Sequence, residues 1–272
     1  MTSRRRLRPP AFTSTLVCVL AASALSVLAL VVGCTPESSS TTQSQQDQNP
    51  NLPLALIYNG PQGCDDCAPT IAKVLQNAPH PFRTKYVGPG TGTDLDEATL
   101  ATASLYVQPG GGQDLQPSFD DLEDVSDDLR AWVRNGGSYL GLCFGGYLAG
   151  KDPGFDLLPA EVRGYTHTDG ATVHDARDTI IDVTYRGQKR HMYFQDGPAF
   201  IVEPNSPGVD VLATYSNGTA ATLVAPFGKG KVGVSGPHPE ADQSWYDNAE
   251  IENPDGVRLD IAYDLIETTT HR

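Results

Sequence analysis

The stretch Gly141-Leu142-Cys143-Phe144-Gly145-Gly146-Tyr147 sets a cysteine where a short apolar run gives way to glycine. Its order is strand, sharp turn, then a small-residue helix start. A nucleophile on such a turn is pushed out above the sheet, and the crowded backbone needs small residues two before and two after it, here Gly141 and Gly145. The N-terminus of the ensuing helix favours a thiolate, and the amide of Phe144 would face a developing oxyanion. Pro109-Gly110-Gly111-Gly112 offers unshielded amides after another strand, which makes Gly110, Gly111 and Gly112 candidates for the second oxyanion donor. Gly233-Val234-Ser235-Gly236-Pro237-His238-Pro239-Glu240 ends a further strand with a histidine and, two residues on, a carboxylate. A general base needs such a partner to fix its tautomer and stabilise its charged form. Cys143, His238 and Glu240 therefore have the composition of nucleophile, base and orienting acid. Plainer readings stand beside each piece: a small buried cysteine, a simple turn, a structural histidine.

Positioning these residues requires strands that end at the same edge. Leu52 to Tyr58 is a short apolar run stopped by Asn59-Gly60-Pro61, suited to a buried parallel strand. Pro69 to Leu75 has helical spacing, Thr84 to Val87 is a second strand, Leu95 to Thr102 a short helix, and Leu105 to Val107 a third strand. Phe119, Leu122, Val125, Leu129, Trp132 and Val133 recur at spacings of three and four, predicting one helix with Ser118 at its start and Asn135-Gly136-Gly137 as its stop. The acids on its other face lack the ordered spacing of a calcium loop and read as a solvated surface. Tyr139 to Leu142 is a fourth strand leading into Cys143. Beyond Gly150 come short strands at Thr179 to Tyr185, His191 to Phe194, Val211 to Tyr215, Thr219 to Ala225 and Lys231 to Ser235, then a helix from Pro254 to Ile266. Alternating strands and helices, with a further run of strands after them, predict an α/β fold with a mostly parallel sheet, helices on both faces and a β-rich C-terminal portion.

The chain has 272 residues, with 19 Lys and Arg against 33 Asp and Glu, a formal charge of −14. Arg4, Arg5, Arg6 and Arg8 are the only charges before Cys34, so residues 34–272 carry 15 bases against 33 acids, or −18. That balance excludes a nucleic-acid grip, which needs clustered positive charge. Basic residues up to Arg8, an uncharged apolar run from Ala11 to Val32 and a closing Gly33-Cys34 have the order of an export signal, and a cysteine after a small residue resembles a bacterial lipobox. The expectation is a lipoprotein signal peptide at 1–33, lipidation at Cys34, a disordered Ser/Thr/Gln/Asn tether to 51, and a domain over 52–272. A plain membrane-spanning helix is the alternative for the apolar run, and Ser3 to Arg8 also suits a twin-arginine signal. The protein is thus expected outside the cell, held to the membrane by its lipid alone.

At the cysteine elbow and the His-Pro-Glu segment the chain resembles a class I glutamine-amidotransferase-like domain, and more closely the branch called the biotin-protein ligase N-terminal domain. Tyr58-Asn59-Gly60-Pro61, Gly141 to Tyr147, Tyr193-Phe194-Gln195-Asp196-Gly197-Pro198 and Ala220 to Glu240 carry the resemblance, which spans roughly Leu54 to Leu265. It implies a flavodoxin-like sheet with Cys143, His238 and Glu240 as a triad at the carboxyl ends of strands. Glutaminases of this class carry glutamine four residues after the nucleophile; Tyr147 stands there, which argues against glutamine as substrate. Nothing resembles the catalytic part of a biotin ligase.

Of five cysteines, Cys18 lies in the export segment and Cys34 at the lipidation site. Cys64 and Cys67, in Cys64-Asp65-Asp66-Cys67, come after a strand and before a helix, as a thioredoxin-type redox pair does. An exported protein tends to pair its thiols, so a local disulfide is the first reading, with a redox dithiol or half a zinc site beside it. Cys143 is then left free. Neither a metal nor a cofactor is expected. The leading functional expectation is a cysteine-dependent hydrolase or amidase acting on a small-molecule or peptide substrate. A non-catalytic ligand-binding protein on the same fold and a thiol-disulfide oxidoreductase using Cys64 and Cys67 are the alternatives. Tyr165, His167 and Asp196 are candidates to line the pocket.

Overall fold

The computed structural model describes residues 49–270 apart from Gln113 and Asn205. The export segment, Cys18, Cys34 and the tether up to 48 lie outside the described residues.

Five strands form the parallel half of one sheet: β1 (Leu54–Tyr58), β2 (Arg83–Val87), β3 (Leu105–Gln108), β4 (Ser138–Leu142) and β11 (Gly230–Ser235). Their order is β2-β1-β3-β4-β11, all pairs parallel. The sheet then continues without a break through antiparallel β10 (Ala220–Phe227), β9 (Asp210–Tyr215), β6 (Thr179–Tyr185) and β7 (Gln188–Phe194). A side branch pairs β5 (Ala160–Gly164) with β8 (Pro198–Val202), which joins β10. The β-rich portion expected from the sequence is thus an extension of the same sheet.

Strand periodicity explains the two cores. Ala55 and Ile57 of β1, Leu105 and Val107 of β3, and Leu140 and Leu142 of β4 face one way, under α1 (Cys67–Gln76) and α7 (Leu259–Thr270). Their alternates Leu54, Leu56, Tyr58, Tyr106 and Tyr139 face the other way, under α2 (Glu97–Leu100) and α4 (Glu123–Arg134). Both faces are apolar, as a sheet covered on both sides requires.

Several boundaries differ from the sequence reading. The helix expected from Ser118 through Val133 is two helices, α3 (Leu115–Asp120) and α4, broken at Asp121-Leu122. The Leu122 amide turns back to the Phe119 carbonyl at 2.8 Å, closing α3 early. Ser118 is no cap: Asp114 caps α3 through the Gln116 amide, and the Ser118 hydroxyl donates back to the Asp114 carbonyl. The apolar spacing persists across the break because Val125, Leu129 and Val133 keep one buried face. Residues Pro254 to Arg258 precede rather than begin the last helix. The remaining helices are the short α5 (Phe144–Leu148), α6 (Gln243–Asn248) and a 3₁₀ turn at Tyr165–His167.

Candidate functional site

β4 and β11 lie side by side with Leu142 opposite Ser235, so the residues just beyond them emerge at one edge. Cys143 heads α5 with φ 48° and ψ −105°, a region that costs a non-glycine residue about 1–3 kcal/mol. Surrounding bonds hold it there. Its amide donates to the Ser235 carbonyl at 2.7 Å, and its carbonyl accepts from the Gly146 amide at 2.8 Å. The flanking glycines are needed for space: a methyl on Gly145 would run into the Gln108 carbonyl, and one on Gly141 into the Gly145 carbonyl. The Tyr139 hydroxyl donates to that Gly145 carbonyl at 2.7 Å, fixing the turn from beneath.

After β11, a buried hydroxyl pair shapes the second turn. Ser235 Oγ donates to the Pro237 carbonyl at 2.7 Å and lies 3.0 Å from Thr222 Oγ1. The His238 amide then donates to the Tyr193 carbonyl at 2.9 Å. His238 Nδ1 faces Glu240 Oε1 at 2.8 Å, with the side chains 4 % and 1 % exposed. Glu240 Oε2 is buried with no hydrogen-bond partner among the described residues, so His238 is the counter-charge beside it. Cys143 lies near enough to act on the imidazole of His238 electrostatically. Burial pulls the imidazole towards neutrality, but the Glu240 carboxylate, the Cys143 sulfur and the hydrogen bonds to both outweigh it and push the His238 pKa up to about 10. A charged imidazolium beside sulfur is the state that favours a thiolate.

Aromatic rings enclose the imidazole. Trp245 lies edge-on at 5.0 Å and Tyr193 at 5.9 Å, and Tyr246 contacts Tyr193 at 5.4 Å. On the remaining side stands Gly110: a methyl there would come within 2.9 Å of His238 Cε1 and 3.1 Å of Cys67 Sγ. Gly112, at φ 62°, lies against the Phe144 ring. Gly110 to Gly112 and the amide of Phe144 therefore border the same corner as Cys143. The first amides of a helix have no intrahelical acceptor, so the Phe144 N–H is available to an oxyanion.

Cys143 itself is 9 % exposed, with Sγ 3.5 Å from the Gln195 carbonyl. Tyr147, four residues on, donates its hydroxyl to the Asp196 carbonyl at 3.0 Å. Burial, then the charges of Asp196 and Cys143, raise its pKa, so it stays a neutral donor. The Asp196 carboxylate accepts from Thr166 Oγ1 at 2.7 Å, and His167 is exposed beside it. Tyr165, by contrast, is fully buried and stacked on Tyr215 at 4.0 Å, so it belongs to the core.

The sulfurs of Cys64 and Cys67 lie at disulfide distance, with Cα atoms 5.4 Å apart. Asp66 lies beside them, its ligand atom within 4.8 Å of both. Two sulfurs engaged with each other do not offer the thiolates a metal needs. Spacing holds no sign of the Trp245 and Tyr193 rings, the Ser235–Thr222 pair or the Gln195 carbonyl at Cys143. Tyr193, Gln195, Thr222 and Ser235 fall in segments that carry the family resemblance, and Trp245 does not.

Fold and site together define an α/β protein with a cysteine and a histidine–glutamate pair just beyond neighbouring strands of one sheet. Residues 55–167 and 162–270 match the family described as biotin-protein ligase, N terminal, and the chain belongs to that family. It is 26 % identical over 211 residues to a biotin–protein ligase of Schizosaccharomyces pombe, a match covering 68 % of this chain and 33 % of that protein. The chain thus spans about a third of that relative's length. Among solved structures, a putative GMP synthase subunit from Thermoplasma acidophilum shares the fold at TM-score 0.51 and 13 % identity, over 80 % of this chain and 95 % of that one.

Proposed function

We propose that the protein is a cysteine-dependent hydrolase or amidase. The observation that carries this reading is the buried His238–Glu240 pair at 2.8 Å just past β11, next to the Cys143 turn that follows the neighbouring β4. In the reaction, His238 takes the Cys143 proton, and the thiolate attacks an amide or related carbonyl carbon. The oxyanion is met by the Phe144 amide and the Gly110 to Gly112 loop. The C–N bond breaks as His238 returns its proton to the leaving amine. Water, deprotonated by His238, then attacks the thioester and releases the acid and the free thiol. Glu240 holds the imidazole in place and stabilises its charged form.

Tyr147 argues against glutamine as the acyl donor, because a phenol bound to the Asp196 carbonyl occupies the position of the amide that glutaminases use. Biotin ligation is not part of the reading, since the matched region covers a third of the ligase relative. Small molecules or peptides are the proposed substrates, at the outer face of a membrane to which a lipid on Cys34 ties the domain. No helix among the described residues is long and apolar enough to cross a membrane. Profiling with a library of acyl electrophiles tests the enzyme reading. Adducts should form on Cys143 and disappear in His238→Ala, and an absence of wild-type adducts across the library would contradict it.

A further inference from the structure

We propose that the Cys64–Cys67 pair, closed as a disulfide, positions His238 and the Gly110 to Gly112 loop. The inference rests on the reading of Cys143 and His238 as a reactive pair, and gives the vicinal cysteines a part in that site rather than a separate redox activity. Cys67 opens α1 and is 4 % exposed, packed in one cluster with Tyr246 and with Tyr193 and Trp245, the two rings on His238. Gly110 is wedged between its sulfur and the imidazole: the one added methyl would touch both, at 3.1 Å and 2.9 Å. Glycine is the only residue that fits, so the sulfur and the imidazole are kept apart by a bare backbone.

Cys64 completes the clamp from the other end. Its amide donates to the Gly110 carbonyl at 3.5 Å, a long bond, and Gly63 pairs with Gly111 as an isolated antiparallel bridge. Gly111 sits at φ 145°, and a methyl there would meet Gly63 and the Cys64 amide at 2.6 and 2.8 Å. The half-exposed loop carrying Gly63 and Cys64 therefore holds the oxyanion loop through few and weak backbone contacts. A covalent link from Cys64 to the buried Cys67 is what fixes that loop to the helix. Opening it leaves Gly110 and Gly111 held by one long hydrogen bond and one bridge, and frees a sulfur that no longer sits at bonding distance from its partner. The wall behind His238 then loosens, together with its alignment on Glu240 and Cys143. Tyr193 and Trp245 also face that imidazole.

Opening is a two-electron reduction. A small dithiol attacks one sulfur, the S–S bond breaks to a mixed disulfide and one protein thiol, and the second dithiol sulfur attacks the first, expelling the other protein thiol. Two protein thiols result as the dithiol closes into its own disulfide. The test tracks the His238 ring by NMR through a pH titration, in closed protein, in dithiothreitol-opened and desalted protein, and after reoxidation. The Cys64→Ser/Cys67→Ser double variant provides an open form that needs no reductant. Far-UV circular dichroism establishes that each form is folded. The His238 midpoint should fall by at least about one pH unit on opening, towards the ordinary imidazole value, and return on reoxidation. Amide exchange at Gly110 to Gly112 should quicken about tenfold. A midpoint and exchange rates indifferent to the state of the pair, in both open forms, overturn the inference. Alkylation of Cys143, read by mass spectrometry, separates the two ideas: a Cys143 no more reactive than a denatured thiol defeats the proposed function, while the His238 titration still decides the role of the pair.

Discussion

Glu240→Gln keeps the volume of a side chain that is 1 % exposed and removes the charge 2.8 Å from His238 Nδ1. In the wild type the folded His238 pKa is raised from 6.5 to about 10. A raised pKa contributes stability that is fully present below the unfolded value of 6.5 and is lost as pH rises through about 10. Between those limits the folded state binds more protons than the unfolded one, and the slope is about 1.4 kcal/mol per pH unit for one such group. In the variant, burial acts without the carboxylate that opposed it, the folded pKa drops, and the window closes. Urea unfolding of both proteins from about pH 6.5 to about pH 9 measures the difference directly, because lysines and tyrosines common to both chains cancel. The wild-type advantage should shrink by about 3 kcal/mol across that range. Two stability curves running parallel through the window would refute the claim that Glu240 holds His238 in its charged form.

Gly145→Ala should cost about 3 kcal/mol, because the new methyl meets the Gln108 carbonyl and cannot be accommodated by a side-chain rotation; thermal melting at the wild-type temperature would contradict this. Trp245→Ala removes a 7 % exposed ring packed on His238 and Tyr193 and should cost about 3–5 kcal/mol by urea unfolding; a variant as stable as the wild type would contradict this. Tyr147→Phe leaves the Asp196 carbonyl without its donor and should cost about 1 kcal/mol, measured the same way; an unchanged midpoint would mean that bond carries nothing.

The parallel half of the sheet is legible in the sequence because its strands are short apolar runs bounded by glycine and proline, as in Leu54–Tyr58 and Ser138–Leu142. Strand β5 (AEVRG) is hidden, since its Glu161 and Arg163 are exposed and its partner β8 lies far along the chain. The break between α3 and α4 is hidden too, because the apolar spacing runs straight through it. At the site, the facing of His238 and Glu240 stems from a two-residue spacing after a strand. The approach of Cys143 to His238 does not, since it depends on β4 and β11 being neighbours, which no local pattern encodes. The wedge of Gly110 between Cys67 and His238 is likewise a product of three distant segments meeting.

Activation of Cys143 as a nucleophile is the central claim. The rate constant for its alkylation by iodoacetamide at about pH 6, set against the same cysteine in denatured protein, tests it most directly. An ordinary thiol, with a pKa near 8.5, is almost wholly protonated and slow at that pH. Alkylation should be at least about tenfold faster in the folded protein, with the excess lost in His238→Ala. A folded-state rate no faster than the denatured control would contradict an activated Cys143.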